Sequence, residues 1–94
     1  MFIVNLHYKK PIEIIEQFIT EHRAYLDIGY QHNYLIASGP KNPRTGGILL
    51  SQLKDRETLE NFLKNDPFIL NEVASYELIE FTPVKHHRDF GSYV

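Results

Sequence analysis

Apolar residues recur along this chain first every second position, then with the spacing of a helix, then every second position again, and the whole cycle repeats once. The order of those switches constrains the fold more than any single motif does. Residues 2–8, FIVNLHY, alternate and are rich in strand formers, with Phe2, Val4, Leu6 and Tyr8 on an apolar face and Ile3, Asn5 and His7 on a mixed one. Pro11 suits a first helical position, and the spacing from Ile12 predicts one helix to about Gln31, weakened at Gly29 and stopped at Asn33. Residues 34–39, YLIASG, predict a short strand ended by Gly39-Pro40. PKNPRTGG reads as a turn-rich loop, with Thr45-Gly46-Gly47 entering a third strand over residues 48–53. Asp55 is a suitable N-cap for a second helix whose inward positions are Leu59, Phe62 and Leu63. Asp66-Pro67 then breaks that helix and begins a short turn of another through Asn71. Residues 75–84 alternate as a fourth strand, with Pro83 ending it or placing it at an edge.

The order β-α-β-β-α-β predicts an α+β fold of ferredoxin-like, split-βαβ type in one domain, residues 1–94. Two helices would cover one face of a four-stranded, mostly antiparallel sheet and leave the other face bare. Such faces commonly pair in a homodimer, hiding apolar area that a single copy leaves in water.

Composition removes several functions. The chain has no Cys, which excludes disulfides, thiolate nucleophiles and cysteine-ligated metal. Its ten basic residues are scattered through a chain of net charge −2, with no basic stripe to mark a nucleic-acid partner. No apolar run approaches the ~20 residues that span a bilayer, so no membrane partner is expected. MFIVNLHYKK lacks the basic-then-apolar order of a signal peptide, and a cytoplasmic location is the expectation. Metal-binding His motifs and Gly-rich phosphate loops are missing, and no cofactor is expected.

One residue breaks the pattern. His22, in EHRAYL, lies seven after Ile15, four after Phe18 and three after Ile19, so it falls on the inward stripe where Leu would be ordinary. The plain account is a core histidine satisfied by backbone or water. The chemical account is an imidazole kept for proton transfer, since its ordinary pKa of about 6.5 suits work near neutrality. A carboxylate able to orient it would favour the second. Asp66 lies seven after Leu59, four after Phe62 and three after Leu63, extending the inward face of the second helix. Capping at Asp66-Pro67 explains the same residue, and a capping carboxylate retains a second oxygen, so both roles can coexist.

His22 in the first helix, Ser38-Gly39-Pro40 at the end of the second strand and Asp66-Pro67-Phe68 after the second helix together resemble the YciI-like (YCII-related) family, over nearly the whole chain to Pro83. The resemblance implies a ferredoxin-like dimeric α+β barrel with an active site built on a His–Asp dyad, matching His22 and Asp66, and a Gly-Pro turn, Gly39 and Pro40, at its mouth. Ser38 and Phe68 complete the candidate substrate-binding set. Similar barrels serve isomerases, lyases and monooxygenases acting on small oxygenated or aromatic compounds. Two departures stand out. Many members carry Arg where this chain has Ile19, and Arg23, one position beyond His22, is turned off the shared face. The stretch ILNEVAS also lacks a Gly expected in many relatives.

The remaining histidines offer less. His7 reads as a partly buried structural residue or one that points into a dimer interior. His32 suits the helix C-terminus, where a cation is favourable. His86 and His87 are neighbours that face opposite ways on an extended chain and read as solvated tail. The expectation is a cofactor-independent lyase or isomerase that binds a small molecule. The alternatives are a non-catalytic ligand-binding or interaction module and, by barrel shape alone, a cofactor-independent monooxygenase.

Overall fold

The computed structural model describes all 94 residues. Strand β1 (Phe2–Tyr8) leads to helices α1 (Ile12–Glu16) and α2 (Ile19–Gln31), then strands β2 (Leu35–Pro40) and β3 (Gly46–Ser51). Helices α3 (Arg56–Leu63) and α4 (Pro67–Leu70), strand β4 (Ala74–Glu80) and a 3-10 helix (Arg88–Tyr93) complete the chain. The sheet order is β2-β3-β1-β4 with every neighbouring pair antiparallel. This is the split-βαβ arrangement that the switching period predicts.

Register shows which residues share a face. Val4 sits opposite Leu49 and Leu78, and Leu6 opposite Gly47 and Tyr76. These residues face the helices. Phe2, Val4 and Leu6 are almost fully buried there with Leu26, Leu35, Leu59, Phe62 and Leu63, in the larger of two core clusters. The smaller cluster joins Ile15, Phe68, Val73 and Ala74. On the opposite face Ile3 pairs with Leu50 and Ile79, and Asn5 with Ile48 and Glu77. Ile48, Ile79 and Phe81 remain well exposed on or beside that face.

The long first helix is in fact broken. Gln17 and Phe18 separate α1 from α2, with bonds from the Gln17 and Phe18 N–H groups to the Ile14 and Ile15 carbonyls, three residues back. The segment carries Ile12, Ile14, Ile15, Ile19 and Thr20, β-branched residues that crowd the preceding turn and weaken the α form. Gly29 does not weaken α2 but lies buried inside it. A Cβ there would stand 2.7 Å from Phe62 Cζ and 2.9 Å from Leu35 Cδ1, so its absence lets α2 pack closely. The stop is at Asn33, which takes φ 59 while the Tyr34 N–H bonds the Gly29 carbonyl at 2.8 Å, a Schellman-type closure.

Asp55 caps α3 through the Thr58 N–H at 3.2 Å. The Thr58 hydroxyl and N–H hold the Asp55 carboxyl below its usual range. Gly46 and Gly47 lie within β3 rather than in a turn before it, and β4 ends at Glu80 ahead of Pro83. His7 is exposed rather than partly buried, between Lys41 and Glu77 on the open sheet face. His32 is the C-cap of α2, and His86 and His87 are exposed in the tail.

Candidate functional site

Asp66 anchors the site because its backbone role is fixed first. It is the N-cap of α4, with Pro67 at the first helical position, and its Oδ1 accepts the Phe68 N–H at 2.9 Å. That cap turns a fully buried carboxylate toward α2. There the same Oδ1 lies 2.8 Å from Nδ1 of His22, which is itself buried. The cap and the contact with His22 therefore share one oxygen, contrary to the division of labour the sequence suggests. The other oxygen, Oδ2, is buried with no hydrogen-bond partner.

The His22 ring is fixed on its flat side as well. It stacks on Phe68 with centroids 3.9 Å apart and planes 7° from parallel. One turn of α4 thus supplies both the group that bonds the imidazole edge and the ring that covers its face. Nε2 makes no protein hydrogen bond and is not sealed off, so it is the ring nitrogen open to a ligand. Tyr25, one turn along α2, donates to the Phe62 carbonyl at 2.6 Å. Burial, then the Asp66 charge, then Tyr34 push its phenol up, so it stays protonated and a donor at neutral pH.

His22 opens onto a cavity of about 410 Å³ between the helices and the β2–β3 end of the sheet. Ser38, Gly39, Pro40 and Phe68 line it too, so the candidate residues come together around one space, with Asp66 behind His22. Leu6, Leu26 and Leu49 form apolar wall, which places the site on the seam between the two core clusters. The Ser38 hydroxyl already bonds the Tyr30 hydroxyl at 2.6 Å. No three His, Asp or Glu side chains converge to hold a metal ion.

Sequence reasoning missed two arginines. Arg23 lines the cavity despite its position one residue past His22, because its stem is long enough to bring a side chain back from the flank of a helix. Arg44 lines it from the β2–β3 loop, beside an ion pair with Glu16 at 3.4 Å. The signal for Arg44 was its place in the loop that follows the Gly39-Pro40 mouth. Ile19 lines the same wall where an Arg was the family expectation.

A profile of the YCII-related domain matches residues 1–82. No curated protein matches significantly. Among solved structures, the chain is similar to 5-chloro-2-hydroxyhydroquinone dehydrochlorinase from Burkholderia phenoliruptrix, in complex with 2,5-dihydroxybenzoquinone. The two share 17% identity and superpose with a TM-score of 0.71, over 87% of this chain and 94% of the other. At that identity the likeness shows the fold alone, an α+β chain with helices on one face of a four-stranded antiparallel sheet.

Proposed function

This chain belongs to the YCII-related family, and we propose that it is a cofactor-independent enzyme in which His22 and Asp66 move a proton on a small oxygenated or aromatic compound, in lyase or isomerase chemistry. The observation that carries the proposal is the pair itself: a buried carboxylate 2.8 Å from one imidazole nitrogen while the other faces a cavity. When Asp66 accepts from Nδ1–H, the Nε2 lone pair is free to act as a base. Nε2 takes a proton from a C–H or O–H group of the ligand, and the imidazolium that forms rests against the Asp66 charge. Returning the proton to another atom completes an isomerisation. In an elimination, the electron pair left on carbon expels a leaving group as its anion instead.

General acid–base help of this kind is typically worth ~10²–10⁴-fold, within reach of two side chains. The unpartnered Oδ2 supports the reading, since leaving a buried polar atom unsatisfied costs about 1–3 kcal/mol and is concentrated where another demand acts. The name of the fold neighbour supports the class of chemistry, because dehydrochlorination removes a proton as chloride departs. Ser38, Gly39, Pro40 and Phe68 hold the ligand.

The test is a screen of small hydroxylated aromatics, quinones and keto-enol compounds. His22→Gln is expected to lower turnover of any active compound by roughly 10²-fold or more while ligand affinity changes little. Unchanged turnover in His22→Gln contradicts the proposal. Binding without turnover across the screen, with release over the pH range of a histidine, assigns the site to a non-catalytic ligand-binding module.

The protein also works as a homodimer in this reading, with a second copy covering the open sheet face. Ile48 and Ile79 are 36% and 48% exposed there, and Ile3 and Leu50 lie beside them, making an apolar surface of the kind that marks an interface. Ile79→Glu is expected to convert a dimer to a folded monomer in analytical ultracentrifugation. A monomeric parent protein at tens of micromolar overturns this part.

A further inference from the structure

The charge around the cavity runs against the charge of the chain. Acidic residues outnumber basic ones twelve to ten overall, yet the side chains lining the cavity include Arg23 and Arg44 and no carboxylate. Asp66 stands behind His22, outside the lining, with its Oδ1 shared between the His22 ring and the Phe68 N–H. Arg23 has no carboxylate within 4 Å. The one acidic group that reaches a cavity arginine is Glu16, which approaches Arg44 from α1 through a single contact of 3.4 Å.

That contact is a poor reason to keep an arginine at the rim. Glu16 is 60% and Arg44 36% exposed, and exposed pairs are typically worth only about 0–1 kcal/mol. A guanidinium offers five N–H donors in a fixed fork suited to two-point contact with a planar anion. Glu16 occupies one of them at the long end of hydrogen-bond range, and the Arg44 guanidinium makes no other protein hydrogen bond. Arg44 therefore has donors to spare, facing a cavity that also holds His22.

We propose that this cavity takes a small organic anion, a carboxylate or an ionised phenol or enol, and that Arg44 clasps it, exchanging Glu16 for the anion as the ligand enters. The assignment rests on the cavity being the ligand site and names the class of ligand; it does not depend on turnover. Arg23 contributes favourable charge, and the apolar wall of Leu6, Leu26, Leu49 and Phe68 takes the ligand's hydrocarbon part.

Benzoate and its neutral counterpart benzamide are the probes, titrated at low ionic strength with calorimetry and the His22 ring signals as readouts. The parent protein is expected to bind benzoate at least tenfold more tightly than benzamide. Arg44→Gln lowers benzoate affinity roughly tenfold, the loss of a charge-assisted contact, and changes benzamide less than twofold. Arg23→Gln costs benzoate less than Arg44→Gln does. Glu16→Gln tightens benzoate about two- to fivefold by removing the competitor, a gain that damaged folding does not produce. Equal affinity for the two probes, or no binding of either, overturns the proposal. So does a benzoate affinity indifferent to Arg44→Gln, a larger loss in Arg23→Gln, or no gain in Glu16→Gln. If the preference for benzoate fails while His22→Gln still abolishes turnover, only the anion assignment falls. If the preference holds and no compound turns over, only the catalytic reading falls.

Discussion

Asp66→Asn is expected to leave the protein folded and to lower kcat/KM by roughly 10²–10⁴-fold, the range of a lost acid–base contribution. The asparagine carbonyl can still accept the Phe68 N–H, so the cap on α4 survives. What it cannot supply is a negative charge against the imidazolium. If the amide turns its NH₂ group toward Nδ1 instead, it fixes the wrong tautomer and places the proton on Nε2. The first orientation weakens the base by taking away the charge that steadies the imidazolium, and the second removes its lone pair from the cavity. Asp66→Ala behaves differently, because it deletes the cap and leaves a buried His22 nitrogen without its partner. Adding about 1 kcal/mol for the cap to about 1–3 kcal/mol for the orphaned group gives a loss of roughly 2–4 kcal/mol. Chemical denaturation separates the two variants. Equal destabilisation of Asn and Ala variants, or undiminished turnover in the Asn variant, contradicts the assignment.

The second large effect lies in the sheet. Gly46→Ala is expected to destabilise the protein on the order of 3 kcal/mol or more, or to prevent folding altogether. A Cβ at Gly46 falls inside the contact radius of the Leu6 carbonyl oxygen and crowds the His7 backbone, both on the paired strand β1. Backbone in the middle of a sheet cannot move aside as a side chain does. For a chain of this size the corresponding fall in Tm is roughly 12 °C or more. Gly39 is the internal control. A Cβ there meets nothing within 4 Å, and no glycine of the chain needs a positive φ. Gly39→Ala is therefore expected within about 0.5 kcal/mol of the parent. Thermal unfolding of both variants tests the contrast, and a Gly46→Ala protein as stable as the parent refutes the close-packing account.

How much of this was legible in the sequence depends on whether the signal is local. The strand and helix order was, because the apolar period changes with the element and each change is flanked by Pro, Gly or a capping Asp. Asp55 and Asp66 were legible as caps for the same reason. The break at Gln17-Phe18 was not, because the apolar spacing continues through it while the crowding of Ile side chains acts on the backbone. Gly29 and Gly46 were misread as a weak point and a turn. Their real constraint is a neighbour distant in sequence, Phe62 in one case and Leu6 in the other.

The site follows the same division. Spacing along two helices placed His22 and Asp66 on inward faces, and the structure brings them to 2.8 Å. Spacing does not say which oxygen of Asp66 serves which donor, nor that Phe68 lies flat on the imidazole. Those follow from the turn of α4. Arg44 was hidden for a further reason. Its position depends on the conformation of the β2–β3 loop, and no periodicity describes a loop.

In the proposed mechanism Asp66 holds the His22 Nδ1 proton so that Nε2 presents a lone pair to the cavity. Two-bond ¹⁵N–¹H correlation of the ring nitrogens, recorded at mildly alkaline pH, reads this without a substrate. A protonated Nδ1 and an unprotonated Nε2 are expected in the parent protein, with that pattern lost in Asp66→Ala. A protonated Nε2 in the parent, or ring signals indifferent to Asp66→Ala, contradicts it.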